Sequence, residues 1–358
     1  MKAVFRADAS IQIGTGHIMR CLTLADELKE NGAEVLFISR ELPGNLIELI
    51  EKKGFTVYRL AYSPMNETKD TQAISWQIDA DETKMILQLI GFPISWLIID
   101  HYSLDVRWEN QLRPFVNKII VIDDLANRPH DCDVLLDQNL YESMDLRYDG
   151  LVPDHCQKLL GPGYGLLRPE FKETRKRLRK RNGQVRRMLI FFGGSDPTNE
   201  TVKALEAVRE LNRPDIAVDV IVGGSNPYRK EVKELCEQMP YVTYYSQVEN
   251  MAEFVLNADL AIGAGGVTML ERYYLGLPTI VSIIALNQSE TVHAAASNGV
   301  VWNLGWHEDV NSQMILDKLR ELLQNSLLLK EAEEKAVHLM KCLQTEKNHP
   351  AIRIMMGN

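Results

Sequence analysis

Lys2-Ala-Val-Phe-Arg-Ala-Asp-Ala-Ser-Ile-Gln-Ile-Gly-Thr-Gly-His-Ile-Met-Arg20 carries an apolar run into a glycine-bearing turn and out onto an amphipathic segment. Lys2 to Ala7 reads as a short buried strand. From Ile18 the apolar residues Ile18, Cys21, Leu22, Ala25 and Leu28 recur at helical spacing until Asn31-Gly32, an ordinary helix stop. The helix therefore begins near His17. Gly14 and Gly16 allow backbone angles or close approach that a side chain would forbid, and the first amides of a helix attract an oxyanion. A strand, a glycine turn and a helix in this order are a signal of a nucleotide-type α/β fold, with an ordinary tight turn carrying a surface His as the plainer alternative. The spacing is not the dinucleotide fingerprint, because position 19 is Met.

The pattern continues outward from this start. Glu34 to Ser39, Thr56 to Leu60, Trp96 to Asp100, Lys118 to Asp123 and Val134 to Asp137 are strand-like runs separated by helical stretches, as in a parallel sheet wrapped by helices. After Gly161-Pro-Gly-Tyr-Gly165 comes a charged run, Glu170 to Arg181, leading to Asn182-Gly183, which reads as a surface helix and linker with a solvated face, an anionic partner for its basic run being the alternative. Alternation then restarts with Arg187 to Phe192, Ala217 to Val222, Val242 to Tyr245, Leu260 to Gly263, Thr279 to Ser282 and Val300 to Leu304. Two of these strands enter similar turns, Gly193-Gly-Ser-Asp-Pro-Thr198 and Gly223-Gly-Ser-Asn-Pro-Tyr228, taken as shared turn chemistry since the flanks differ. Ser312 to about Leu343 reads as helical, and Asn348 to Asn358 as a short mixed tail. The expected organisation is a Rossmann-like domain over 1–165, a charged linker over 166–184, a second Rossmann-like domain over 185–345 and a tail over 346–358. Two such sheets are expected to face a cleft, with ligands at the carboxyl ends of the strands.

Composition narrows the setting. The 358 residues are 45% hydrophobic and 25% charged, a soluble globular balance, and exceed what one core usually sustains. A net charge of -9 argues against a general nucleic-acid binder. No leader and no run long enough to span a bilayer is seen, so a cytoplasmic protein with no membrane partner is expected. Cys21, Cys132, Cys156, Cys236 and Cys342 are scattered and odd in number, and buried thiols are the favoured reading. No His-Glu-x-x-His, no cysteine pairs and no loop-clustered aspartates are found that would supply a metal cage.

A second glycine cluster, Gly263-Ala-Gly-Gly-Val-Thr-Met-Leu-Glu-Arg272, follows the strand ending at Gly263 and opens a helix to Tyr274. Amides at Gly265, Gly266, Val267 and Thr268 can hold a diphosphate, and Glu271, just over a turn into that helix, can accept from both ribose hydroxyls. An exposed acid favoured by the helix dipole is the plainer alternative for Glu271.

Met251-Ala-Glu, Ala258-Asp-Leu, Gly265-Gly-Val-Thr, Glu271 and Leu275-Gly-Leu-Pro278 resemble the nucleotide-binding half of the UDP-N-acetylglucosamine transferase of peptidoglycan synthesis, of the two-Rossmann GT-B type. Arg6-Ala-Asp-Ala-Ser10, Ile13-Gly-Thr-Gly-His-Ile-Met-Arg-Cys-Leu22, Ile99-Asp-His-Tyr102, Gly193-Gly-Ser-Asp196 and Asn287-Gln-Ser-Glu290 are similar to the UDP-sugar hydrolases of pseudaminic acid biosynthesis, over nearly the whole chain. That resemblance implies cleavage of UDP-2,4-diacetamido-2,4,6-trideoxy-β-L-altropyranose to UDP and free sugar, by inverting attack of water at the anomeric carbon, with neither a metal nor another cofactor. It makes His17 the main catalytic residue, with Tyr102 and Asn287 orienting water or sugar. The positive end of a helix disfavours an imidazolium, which suits a base. Gly14, Gly16, Arg20, Gly193, Gly194 and Ser195 complete the expected UDP-sugar site.

Several alternatives stay open. Tyr102 could simply cover a strand end and Asn287 cap a helix; Asp8 and Asp100, at strand ends, could orient His17 but rank higher as structural, and His101, His293 and His307 are taken as surface or packing residues. The segment Ala61 to Gln72 could line a sugar pocket. A GT-B transferase would share the donor site, and a non-catalytic sugar-nucleotide binder in spore or surface polysaccharide assembly would have no use for His17. A monomer is expected.

Overall fold

The computed structural model describes residues 1–62, 75–345 and 348–357, so of the segment 61–72 only Ala61 and Tyr62 fall among the described residues. The chain divides into two compact units, one made of Met1–Asn139, Ser143–Leu166 and Thr345–Asn358, the other of Leu140–Glu142 and Leu167–Gln344.

The first unit is a seven-stranded parallel sheet built from β1 (Lys2–Ala7), β2 (Glu34–Arg40), β3 (Thr56–Leu60), β4 (Trp96–Asp100), β5 (Lys118–Ile122), β6 (Val134–Asp137) and β7 (Gln157–Leu160). Its helices are α1 (Gly16–Glu30), α2 (Ile47–Lys52), α3 (Trp76–Ile90) and α4 (Val106–Leu112). The strand order is β3-β2-β1-β4-β5-β6-β7. Both faces are covered, so the strands read as continuous apolar runs: alternate residues Ala3, Phe5 and Ala7 of β1 point into one core while Val4 points into the other. The order reverses between β1 and β4, whose register sets Ala7 beside Asp100. Connections from these two strands leave on opposite faces, and the crevice at their carboxyl ends is where such sheets take ligands.

The second unit repeats this plan with α5 (Pro169–Arg175), β8 (Arg187–Phe191), α6 (Glu200–Leu211), β9 (Ala217–Val222), α7 (Arg229–Glu237), β10 (Val242–Ser246), α8 (Met251–Asn257), β11 (Leu260–Ala264), α9 (Thr268–Tyr274), β12 (Thr279–Ile283), α10 (Ser289–Ser297), β13 (Val301–Trp306), α11 (Ser312–Gln324), α12 (Ser326–Leu339) and α13 (Lys341–Thr345). Its six parallel strands run β10-β9-β8-β11-β12-β13, with the reversal between β8 and β11. Among the described residues no helix is long and apolar enough to cross a membrane.

Three sequence expectations need correction. The charged run is helical only over α5, and its end is not solvated. Arg181 is 3% exposed and its guanidinium donates to the carbonyls of Val255, Ala258, Leu275 and Gly276, in the last turn of α8 and just beyond α8 and α9. The stretch from Ser312 is broken at Asn325, whose side chain accepts from the Leu328 amide and starts a new helix. The tail is not merely mixed: α14 (Pro350–Met356) returns to the first unit and buries Ala351, Ile352 and Met355 in the core around α1.

Candidate functional site

His17 stands in the first turn of α1, directly after the turn in which the Gly14 amide donates to the Ser10 carbonyl at 2.8 Å. Gly14 sits at φ +81°, in the left-handed region where a glycine is favoured, and Gly16 opens the helix. The imidazole is 5% exposed. Its Nδ1 meets Asp100 Oδ1 at the end of β4, across the strand reversal. Arg20, one turn along α1, donates to the same carboxylate from Nε at 2.6 Å and from Nη2 at 2.7 Å, and Nη1 donates to Asp124 at 2.9 Å. Cys21 adds a thiol contact to Asp100 at 3.7 Å. The His17 and Tyr102 rings meet in a T-shaped contact, with centroids 4.4 Å apart and planes at 79°.

The electrostatics of this group follow from burial. Removing Asp100 from water would raise its carboxyl, but the Arg20 guanidinium and the His17 ring together hold it well below the usual carboxylate range. A carboxylate at that position assigns the Nδ1–H tautomer by its hydrogen bond. With Nδ1 committed to Asp100, Nε2 is the atom that can take a proton. The trio of base, orienting carboxylate and fixing cation is an arrangement suited to general base chemistry.

Two expectations change here. Asp100, ranked as structural, is the direct partner of His17. Arg20, expected on the ligand, is 4% exposed and spends its guanidinium on Asp100 and Asp124. Asp8 does not touch His17: it forms a bidentate pair with Arg6 at 2.7 and 2.8 Å, accepts from the Arg40 amide and faces His101 Nε2 at 3.3 Å. Half-buried His101 thus takes the packing role, its Asp8 partner being tied through Arg6 to the buried Asp79 and Arg40.

In the second unit the structure brings Gly193, Gly194 and Ser195, after β8, to the same sheet reversal as Gly265 to Glu271, after β11. Gly193 takes φ +95°, and Gly194 has open space where a side chain would begin. Asp196 ends that turn by accepting from the Glu200 and Thr201 amides at 3.0 Å, capping α6. At Gly265 a Cβ would stand 2.2 Å from Val292 of α10, so the turn lies tight on that helix, whereas Gly266 remains open. Val267 and Thr268 begin α9, Val267 exposed and Thr268 lining a small apolar cavity with Glu271 and Arg272.

Glu271 is not an exposed acid. It is 6% exposed, and Arg168, just before α5, grips it with Nε at 2.7 Å and Nη2 at 3.0 Å. Burial raises the Glu271 carboxyl and Arg168 opposes the rise. Asn287 is exposed in the short turn Leu286–Gln288 after β12. It does not cap α10, where Gln288 holds the cap position, and its neighbour Gln288 lies against Gly265 and Gly266. Asp124 and Arg168 escaped sequence reasoning, since each acts on a partner about a hundred residues away.

Residues 188–348 match the model of the glycosyltransferase family 28 C-terminal domain. The chain is 29% identical over 300 residues to the UDP-2,4-diacetamido-2,4,6-trideoxy-beta-L-altropyranose hydrolase of Campylobacter jejuni, covering 84% of this chain and 97% of that protein. It is 28% identical over 292 residues to an uncharacterised protein of Methanocaldococcus jannaschii, covering 78% of this chain and 55% of that one, so the chain spans about half the length of that relative. Among solved structures, MurG of Acinetobacter baumannii superimposes with a TM-score of 0.66 at 12% identity, covering 100% of this chain and 99% of that one. The fold is GT-B: two Rossmann-like domains with parallel sheets of seven and six strands.

Proposed function

We propose that the chain hydrolyses a UDP-activated diacetamido-trideoxy sugar, of the UDP-2,4-diacetamido-2,4,6-trideoxy-β-L-altropyranose type, to UDP and the free sugar. The observation that carries this reading is the buried His17–Asp100 contact fixed by Arg20. His17 Nε2 takes a proton from water as the oxygen attacks the anomeric carbon, the bond from that carbon to the UDP oxygen breaks, and the configuration inverts. Asp100 stabilises the imidazolium that results. Tyr102, against the His17 ring, positions the water or the sugar. Gly193 to Ser195 and Gly265 to Thr268 take the diphosphate, Glu271 the ribose and Asn287 an acetamido group or hydroxyl. The similarity to the Campylobacter jejuni hydrolase supports the choice of substrate.

Transfer of the sugar to an acceptor hydroxyl is the second reading, and the glycosyltransferase family match over 188–348 favours it. The same base would then deprotonate the acceptor. Incubation with a panel of UDP-sugars in oxygen-18 water separates the two. Hydrolysis at carbon places the label in the sugar, whereas no UDP release until an acceptor is added establishes transfer. A label in UDP means attack at phosphorus and ends the inverting scheme. His17→Asn is expected to slow release by roughly 10²–10⁴-fold with UDP affinity retained; release at the wild-type rate removes His17 as the base.

A further inference from the structure

Cys132 and Cys156 sit just ahead of the neighbouring strands β6 and β7 and bring their sulfurs within 3.5 Å. The backbone sets this approach: the Gln157 amide donates to the Asp133 carbonyl at 2.9 Å, one residue beyond each cysteine. Cys132 is fully buried, while Cys156 keeps 9% exposure. We propose that this pair is a thiol-modification site at which hydrogen peroxide forms a disulfide, clamping the stretch 143–155 to the start of β6.

Exposure divides the roles of the two sulfurs. Either thiol can donate in this contact; Cys156 is the less buried of the two and feels the charge of Lys158, so it is the sulfur that meets peroxide first. Cys156 thiolate attacks one peroxide oxygen, the O–O bond breaks, and hydroxide leaves a Cys156 sulfenic acid. Cys132 sulfur then attacks Cys156 sulfur, the S–O bond breaks and water departs with the Cys132 proton. The proton lost when Cys156 ionised converts the hydroxide to water. Two thiols and one hydrogen peroxide thus give one disulfide and two waters.

The clamped stretch touches the first site through its braces. Tyr148 donates to Asp137 at 2.9 Å and reaches Asp123 at 3.0 Å, and Arg147 donates to the Asp124 carbonyl at 3.1 Å, the residue whose carboxylate holds Arg20. A pulse of hydrogen peroxide on the folded full chain, followed by quenching, unfolding and alkylation, reads the chemistry. Two of the five cysteines should resist alkylation until dithiothreitol is added. Trypsin digestion should show Ile119–Arg147 joined to Tyr148–Lys158, and the native oxidised protein should be cut more slowly at Arg147. In Cys132→Ala, Cys156 should pass to the sulfinic acid and no linked peptide should form. Oxidation of the exposed Cys342 with both Cys132 and Cys156 still alkylatable overturns the proposal, and a disulfide that leaves cleavage at Arg147 unchanged overturns the clamp.

Discussion

Asp100 accepts from His17, Arg20 and Cys21 while fully buried, so changing it tests position and chemistry together. In Asp100→Asn an amide N–H can face Nδ1 and favour the wrong tautomer. UDP release should fall roughly 10²–10⁴-fold with little change in KM, measured beside a melting curve because Arg20 keeps only Asp124 as a counter-charge. A loss confined to KM would place Asp100 outside the chemistry. Asp137 yields a pH prediction. Burial pushes its carboxyl up to about 7 from an ordinary 3.8, aided by Asp124 and opposed by the Asn139 amide. The folded state therefore binds more protons than the unfolded chain between these values, and stability falls as pH rises from about 4 to about 7, then levels. In Asp137→Asn that slope in the denaturant midpoint should flatten; an unchanged slope would assign it elsewhere. At this scale His17 was legible, because a strand, a glycine turn and a helix start identify it within one local stretch. Asp100 was legible only as one of two acids that could orient His17, and Arg168 not at all, since an acid at a strand end or an arginine after Leu167 has many ordinary uses. Their partners stand 83 and 103 residues away.

The two glycine turns that look alike in sequence, after β8 and β9, are pressed together in the fold. A Cβ on Gly223 would stand 2.1 Å from the Gly194 carbonyl oxygen, and backbone cannot yield as a flexible side chain does. Gly223→Ala should cost about 1–3 kcal/mol and lower the melting temperature of the second unit. Gly194→Ala points into open space and should leave stability nearly unchanged, so an effect on UDP affinity there would report a ligand rather than packing. A Gly223→Ala protein as stable as the parent would deny the close approach. The same scale shows why most strands could be read directly. Runs such as Trp96–Asp100, all buried, have no polar face to confuse with a helix, whereas β7, Gln157–Leu160, has four residues of mixed character and carries no periodic signal. Arg181 misled for a related reason. A run of charges usually means water, and only the carbonyls of Val255, Ala258, Leu275 and Gly276 reveal what this one holds.

The two sheets share one topology, but only the second unit is nearly continuous in sequence. The first is completed by α14, which follows the whole of the second unit along the chain. Ile352 is fully buried and Met355 is 5% exposed, the Met355 carbonyl accepts from Trp96 Nε1 at 3.1 Å, and the His349 amide donates to Glu27 at 2.5 Å. Burying an Ile or Met side chain contributes about 1.5–3 kcal/mol, so removal of 346–358 should destabilise the first unit by several kcal/mol. Hydrogen exchange can read this unit by unit. Amides of α1 and β4 should lose protection, because one packs on α14 and the other carries Trp96, while amides of α6 and β9 should keep theirs. A truncated chain with α1 and β4 protected as before would mean that the tail merely covers a core already stable without it. Loss of protection only at α1 and β4 would instead show that the unit carrying His17 becomes stable only once α14 is in place, a dependence on a helix that follows the second unit and that the similar topologies of the two sheets conceal.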